Sequence, residues 1–160
     1  MMGTNHYTPQ ANILVISDRS DTAAMLEAEL SKLDLPIEVS TSLSSTEELM
    51  KIKDHKLLPD LVLLDIEEPY TGGFEILSDL RIDPLFRHIP VIVITSSRIS
   101  AKDVQEGLTL GADDFVTSPV DWRELSARIR AKLRVKQAED SFRSNDRDGN
   151  ELSGYVQGHE

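Results

Sequence analysis

Residues 61–66 read Leu-Val-Leu-Leu-Asp-Ile, an apolar run that ends on the carboxylate of Asp65 and continues into Glu67-Glu68-Pro69. A short apolar run bounded by polar and turn residues is typical of a strand buried on both faces, as in a parallel sheet packed between helices. Open α/β sheets bind ligands at the carboxyl ends of their strands. Asp65 is therefore either a turn residue, as aspartate often is, or a functional carboxylate.

Strand and helix patterns alternate along the rest of the chain. Strand patterns cover residues 13–16, 37–39, 61–65, 91–94 and 115–116. Helical patterns follow them, around Leu26 to Leu33, from Ser45 to Ile52, from Phe74 to Leu80, from Ala101 to Leu110 and from Asp121 to Leu133. This alternation predicts an α/β fold, a doubly wound five-stranded parallel sheet flanked by five helices, with right-handed crossovers.

The 160 residues are enough for one domain with a tail. Residues 1–10 are polar and are predicted to form a flexible N-terminus, and residues 11–136 carry the periodic pattern of the domain. Residues 137–160 contain few apolar side chains and are predicted to form a disordered polar tail or linker.

Composition excludes several classes of function. The net charge of −11 argues against direct binding to nucleic acid or to an anionic membrane. The absence of cysteine excludes disulfides and thiolate metal sites. The first ten residues do not resemble a secretory signal, and the longest apolar runs are too short to span a membrane, so we expect a cytoplasmic protein.

Polar residues follow four of the five predicted strands. They are Ser17 and Asp18 after the first, Asp65 after the third, Thr95 after the fourth, and Thr117 with Ser118 after the fifth. Because the carboxyl ends of parallel strands share one edge of a sheet, these side chains should converge on one crevice. The convergence favours a functional role for Asp65.

Two carboxylates at one crevice form a hard oxygen site of the kind that suits Mg²⁺. Asp18 and Asp65 are the candidates, and Asp65 could also attack a phosphoryl group as a nucleophile. The Thr95 hydroxyl either hydrogen-bonds to a phosphoryl oxygen or caps the turn after its strand.

At this point the sequence resembles the receiver domain of two-component response regulators, from about Ile13 to Leu133. The stretches that carry the resemblance are Leu63-Leu64-Asp65 with Pro69 and Gly73-Phe74-Glu75, Pro90 to Thr95, and Gly111-Ala112-Asp113-Asp114-Phe115 leading to Ser118-Pro119. The resemblance implies a flavodoxin-like fold and a bacterial signalling role without enzymatic activity of its own.

The resemblance also implies roles for particular residues. Asp65 would be the phosphoacceptor, and Asp18, Asp65 and the backbone carbonyl of Glu67 would bind Mg²⁺. Thr95 and Phe115 would be the switch pair that reports phosphorylation at the surface of the last two helices. The implied partners are a histidine kinase or phosphotransfer protein, and a downstream protein or covalently linked effector domain.

Three positions depart from the family pattern. Ser118 replaces the family's lysine, Ser17 replaces the first of two acidic residues after the first strand, and Arg19 stands where another acidic residue is usual. These changes should weaken Mg²⁺ binding and slow phosphorylation. Arg19 is either a solvated side chain at the start of a helix or a cation that assists the phosphoryl group.

Two other functions remain open. The departures favour a pseudo-receiver, a protein-interaction module that works without phosphorylation, whereas Asp18, Asp65 and Thr95 oppose it. A magnesium-dependent phosphohydrolase would need a second acid, and Glu67 has a suggestive spacing from Asp65.

The outer face of the last helix carries a set of basic residues. They are Arg123, Arg128, Arg130, Lys132, Arg134 and Lys136. Such a face is either solvated or a contact for an acidic partner or for a second copy in a homodimer.

Overall fold

The computed structural model describes residues 11–33, 36–42, 58–66, 74–96 and 99–157, with side chains except at 42, 96 and 143–157. The helix predicted from Ser45 and the predicted ligand Glu67 lie outside the described residues.

Five parallel strands form one sheet. They are β1 (Ala11–Ile16), β2 (Ile37–Ser42), β3 (Leu61–Ile66), β4 (Val91–Ser96) and β5 (Asp114–Ser118), in the order β2-β1-β3-β4-β5. The predicted α/β fold with a doubly wound parallel sheet is confirmed. Asp65 does not end its strand, because β3 continues to Ile66, which is buried.

The described residues contain four of the five predicted helices. They are α1 (Ser20–Ser31), α2 (Phe74–Ile82), α3 (Ala101–Leu110) and α4 (Trp122–Gln157). Their ends follow local chemistry: α2 stops before Asp83-Pro84, and α3 closes on Gly111, whose φ of 118° favours glycine.

The start of α3 holds a capping box that sequence reasoning missed. The Ser100 hydroxyl accepts a hydrogen bond from the backbone N–H of Asp103, and the Asp103 carboxylate accepts one in return from the backbone N–H of Ser100. Serine followed three residues later by an acidic residue is a recognisable sequence signal for a helix start. Asp103 itself is buried.

Each face of the sheet has its own hydrophobic core. On one face Leu14, Val62 and Val93 pack with Leu77 and Leu80 of α2. The other face is covered by α1 and α4, through buried residues such as Leu26, Leu30, Leu125, Ile129 and Leu133. Alternation along each strand sends successive side chains to opposite cores. The sheet is therefore rigid where its strands end, at the edge that carries the polar residues.

Helix α4 passes the predicted domain boundary at residue 136 and runs to Gln157. A disordered tail was predicted because residues 137–160 contain few apolar side chains and can bury little apolar surface. A low content of apolar residues does not prevent helix formation. Residues 137–157 contain no proline that would stop a helix. The division between domain and tail stays a prediction, although no break in secondary structure marks it. Across the described ranges, no helix is both long and apolar enough to span a membrane.

Candidate functional site

The site lies where the winding of the sheet reverses. Strands β1 and β3 are neighbours at the centre, and the chain leaves β1 toward β2 on one side and β3 toward β4 on the other. Connections that diverge in this way leave a crevice at the carboxyl ends of the two strands. Ser17 follows β1 and Asp65 lies near the end of β3, so both are at this crevice.

Asp65 is held by two side chains from the loop after β1. Its side chain is 4% exposed. The Ser17 hydroxyl donates a hydrogen bond to Oδ2 at 2.7 Å. Nη2 of Arg19 lies 3.2 Å from both Oδ1 and Oδ2. The buried carboxylate thus has both a counter-charge and a neutral donor, which a carboxylate taken out of water requires.

Ser17 also fixes the backbone that carries Arg19. Its side chain is buried, and its Oγ accepts a hydrogen bond from the backbone N–H of Arg19 at 3.1 Å. The single hydroxyl proton is best directed at Asp65, since the alternative acceptor, the carbonyl of Arg19, is farther away at 3.2 Å. An aspartate at position 17 would offer no donor and would repel Asp65.

The contacts of Arg19 bear on its two interpretations, a solvated side chain at the start of a helix or a cation that assists a phosphoryl group. Its side chain is 41% exposed, yet its guanidinium contacts the buried end of the crevice. Arg19 immediately precedes α1, and its backbone is extended, with φ −107° and ψ 110°. The guanidinium is thus paired with Asp65 while part of the side chain remains exposed, and its role toward a phosphoryl group stays a prediction.

The other predicted site residues lie differently. Asp18 is exposed. Ser118 is also exposed, and within the described part of the chain it makes no hydrogen bond to Asp65. The cation that contacts Asp65 therefore comes from the loop after β1 and not from the end of β5, where the family has its lysine. The sequence identified Arg19 and Ser118 as departures from the family pattern, but it did not predict the ion pair between Arg19 and Asp65.

Thr95 and Phe115 lie on one face of the sheet. Thr95 is 1% exposed, and its hydroxyl has no hydrogen-bond partner among the residues that the structure describes. Phe115 pairs in register with Val93, two residues before Thr95, and packs against the core under α2 and α3. A Cβ added to Gly107 of α3 would lie only 2.4 Å from Cζ of the Phe115 ring. The two predicted switch residues are thus a buried hydroxyl without a partner among the described residues and, on the same face of the sheet, an aromatic ring in contact with α3.

The described residues, as they are arranged around Asp65, do not fit a resident magnesium ion. Mg²⁺ is coordinated directly by oxygen ligands, so no other group can lie between the ion and a carboxylate that binds it. Both oxygens of Asp65 already face a guanidinium group, and Asp18 is exposed. Over the described ranges no group of three or more His, Cys, Asp or Glu side chains could hold a metal ion. A metal ion at Asp65 would have to displace Arg19.

The basic face of the last helix is partly paired within the chain. Arg128 forms ion pairs with Asp114 and Glu124, at 2.7 and 3.0 Å, and these hydrogen bonds raise the pKa of its guanidinium. Lys136 contacts Asp60 at 3.4 Å and Asp140 at 2.6 Å. These two cations stabilise the packing of α4 on the domain, so they are less available to a partner than the sequence alone suggests.

The family that the fold and site define is also found by comparison. The family model of the response regulator receiver domain matches residues 13–130. The chain belongs to the response regulator receiver domain family.

Its similarity to particular relatives is substantial. It is 38% identical over 143 residues to response regulator PleD of Caulobacter vibrioides. The matched stretch covers 89% of this chain and 30% of PleD. It is 36% identical over 126 residues to the transcriptional regulatory protein PrrA of Mycobacterium leprae, covering 79% of this chain and 51% of that protein. This chain therefore spans about a third of the length of PleD and about half that of PrrA.

Among solved structures, it resembles a CheY-like response regulator receiver domain protein from Methanospirillum hungatei. The TM-score is 0.65 and the identity 25%, over 81% of this chain and 98% of that one. The likeness confirms the predicted family and sheet architecture.

Proposed function

We propose that this domain receives a phosphoryl group on Asp65 and passes the change to a partner through Thr95 and Phe115. The observation that carries the proposal is the position of Asp65: a buried carboxylate at the topological switch point, oriented by two donors. A nucleophile for phosphoryl transfer must be positioned, and its charge must be offset as the phosphoryl group arrives.

The donor would be a phosphohistidine of a histidine kinase or phosphotransfer protein, or a small acyl phosphate. An Asp65 oxygen attacks phosphorus, and the bond from phosphorus to the donor breaks, with its electron pair going to the leaving group. From phosphohistidine the leaving group is the imidazole, which takes a proton from water, and from an acyl phosphate it is a carboxylate. The product is an acyl phosphate on Asp65 with more negative charge than the carboxylate it replaces. Arg19 is within reach of that added charge, and a planar guanidinium binds phosphoryl oxygens well.

The response would pass through the hydroxyl of Thr95. Because it is buried and lacks a partner among the described residues, a new phosphoryl oxygen would satisfy it. Movement of Thr95 would change the space beside Phe115, whose ring contacts α3 at Gly107. The surface of α3 and β5 would then bind a downstream protein or a covalently linked effector domain differently in the two states.

Cellular location, magnesium use and dimerisation form part of the same proposal. A protein that receives phosphoryl groups from a histidine kinase would act in the cytoplasm, where the kinase domain lies. Mg²⁺ would bind weakly, because it would first have to displace Arg19 from Asp65, and its ligands would be Asp18, Asp65 and the carbonyl of Glu67. The exposed basic residues of α4 could face a second copy.

Labelling with acetyl phosphate tests the proposal. The wild-type protein and Asp65→Asn are incubated with the donor, with and without Mg²⁺, and followed by intact-mass spectrometry. Wild type should gain one phosphoryl group, and Asp65→Asn should gain none. Absence of labelling in wild type under every condition, including a set of histidine kinases, would instead favour the pseudo-receiver, in which the pair of Arg19 and Asp65 is permanent.

A further inference from the structure

We propose that Arg19 is the built-in cation of this site and competes with divalent metal for Asp65, so that metal binds only when the Arg19–Asp65 pair opens. This inference rests on the proposed function, because it concerns how the phosphoacceptor is controlled. It goes beyond that function by assigning to this chain a regulatory ion pair within the site.

The geometry supports exclusion over coexistence. Nη2 of Arg19 is equally distant, at 3.2 Å, from the two carboxylate oxygens of Asp65. Oδ2 also accepts the hydrogen bond from Ser17. A cation on the same carboxylate would share its ligands with a positively charged neighbour, and like charges at such distances repel strongly at a site shielded from water.

Contacts within the loop after β1 favour the ion pair between Arg19 and Asp65. Ser17 provides a donor to Asp65 and holds the backbone N–H of Arg19, which aims the arginine at the crevice. Ser17 and Arg19 both stand where the family has acidic residues, and they act together. Ser17 removes one metal-binding charge and positions Arg19, and Arg19 supplies a positive charge beside Asp65. Asp18 is exposed between them and is free to turn toward a metal ion once Arg19 leaves.

The inference assigns a resting state and an open state. In the resting state Arg19 neutralises Asp65 without metal. In the open state Arg19 moves into solvent, toward which its side chain is already 41% exposed, and the carboxylates of Asp18 and Asp65 become available. Loss of one charge-assisted contact corresponds to roughly a tenfold to hundredfold change in an equilibrium constant.

Titration with metal alone tests this inference without any phosphodonor. Mg²⁺ is followed by calorimetry, and Mn²⁺ by its effect on water proton relaxation, in wild type, Arg19→Gln and Arg134→Gln. The control Arg134→Gln removes the same charge from an exposed position beside Ala11 and Ile37, at the amino ends of β1 and β2. Arg19→Gln should bind metal roughly ten to a hundred times more tightly than wild type, and Arg134→Gln should match wild type.

Equal affinity in wild type and Arg19→Gln would overturn the inference, as would equal tightening in both variants, since that would reflect net charge. Arg19→Lys provides a second variant in case the glutamine protein does not fold. A point charge fits two oxygens less well than a guanidinium, so metal should bind this variant more tightly than wild type. In wild type, saturating Mg²⁺ should also shift the Nε–Hε resonance of Arg19 in NMR spectra.

The outcome is independent of phosphorylation. If Arg19→Gln gains metal affinity but wild type is never phosphorylated, the ion pair stands and the proposed function fails. If wild type is phosphorylated and its metal affinity does not depend on Arg19, the proposed function stands and this inference fails.

Discussion

The ring of Phe115 lies directly against the backbone of Gly107, with Cζ only 2.4 Å from where a Cβ would be. The contact joins β5 to the middle of α3, the helix that with β5 forms the proposed output surface. Glycine inside a helix destabilises it by about 1 kcal/mol relative to alanine, so its presence here is explained by the space the ring occupies.

Gly107→Ala is therefore expected to destabilise the domain in spite of its better helix propensity. The new methyl group must push the Phe115 ring away, and overpacking of this kind lowers the free energy of unfolding by about 1–3 kcal/mol. Urea denaturation measures the change. The double variant Gly107→Ala/Phe115→Ala should show less than the sum of the two single losses, because the clash is gone. A stabilised Gly107→Ala would mean that the ring moves aside at no cost.

Thr95→Val is expected to leave stability unchanged or raise it by up to about 1 kcal/mol, since a buried hydroxyl without a partner among the described residues is replaced by a methyl group of the same shape. If the proposed function holds, Asp65 should still be labelled by acetyl phosphate. The phosphorylation-dependent change in the NMR signals of α3 should then be lost. A loss of more than about 1 kcal/mol would show that the hydroxyl has a partner in solution.

The sheet and its polar edge were predictable because their signals are local. Apolar runs such as residues 61–64 and 91–94 mark strands buried on both faces, and the strand ends then locate the crevice without any tertiary information. Gly111 and the pair Asp83-Pro84 mark helix ends by backbone chemistry alone. These features depend only on residues within one turn or one strand.

The ion pair at the site was not predictable for the opposite reason. Arg19 and Asp65 are 46 positions apart, and an arginine at the start of a helix has the same sequence pattern whether it faces solvent or a buried carboxylate. The distinction depends on the direction in which β1 and β3 bring their loops together. The extension of the last helix to Gln157 was not evident from the sequence either, because hydropathy reports burial and not backbone conformation.

Ser17→Ala is expected to lower the free energy of unfolding by about 1–2 kcal/mol, because both the donor to Asp65 and the acceptor for the Arg19 backbone are lost. A double-mutant cycle with Asp65→Ala, measured by urea denaturation, isolates the first of these, because alanine offers no acceptor to Ser17. The coupling energy between the two positions should be about 0.5–3 kcal/mol, typical of residues in one hydrogen-bond network. Additive losses would indicate that Ser17 acts only through the backbone of Arg19.

Arg81 is the centre of a second network, at the amino ends of β4 and β5, far from the strand ends that carry Asp65. Its Nε donates to the carbonyl of Gly111 at 2.8 Å, its Nη1 to the carbonyl of Ile89 at 2.7 Å, and its Nη2 to Asp113 at 2.7 Å. The same Asp113 oxygen also accepts the backbone N–H of Val91 at 2.7 Å. One guanidinium thus connects α2 to the segments that lead into both strands.

Arg81→Ala is expected to lower the free energy of unfolding by about 2–4 kcal/mol, because three backbone carbonyls, those of Arg87, Ile89 and Gly111, and the carboxylate of Asp113 lose their hydrogen bonds to the guanidinium. Arg87→Ala is the matched control: its side chain is exposed and contacts His88 at 3.2 Å, so its loss should stay within about 0.5 kcal/mol. Urea denaturation gives both values. A loss for Arg81→Ala no larger than that for Arg87→Ala would mean that water replaces the network. In the folded Arg81→Ala protein, labelling of Asp65 should proceed at the wild-type rate, since the two networks lie at opposite edges of the sheet.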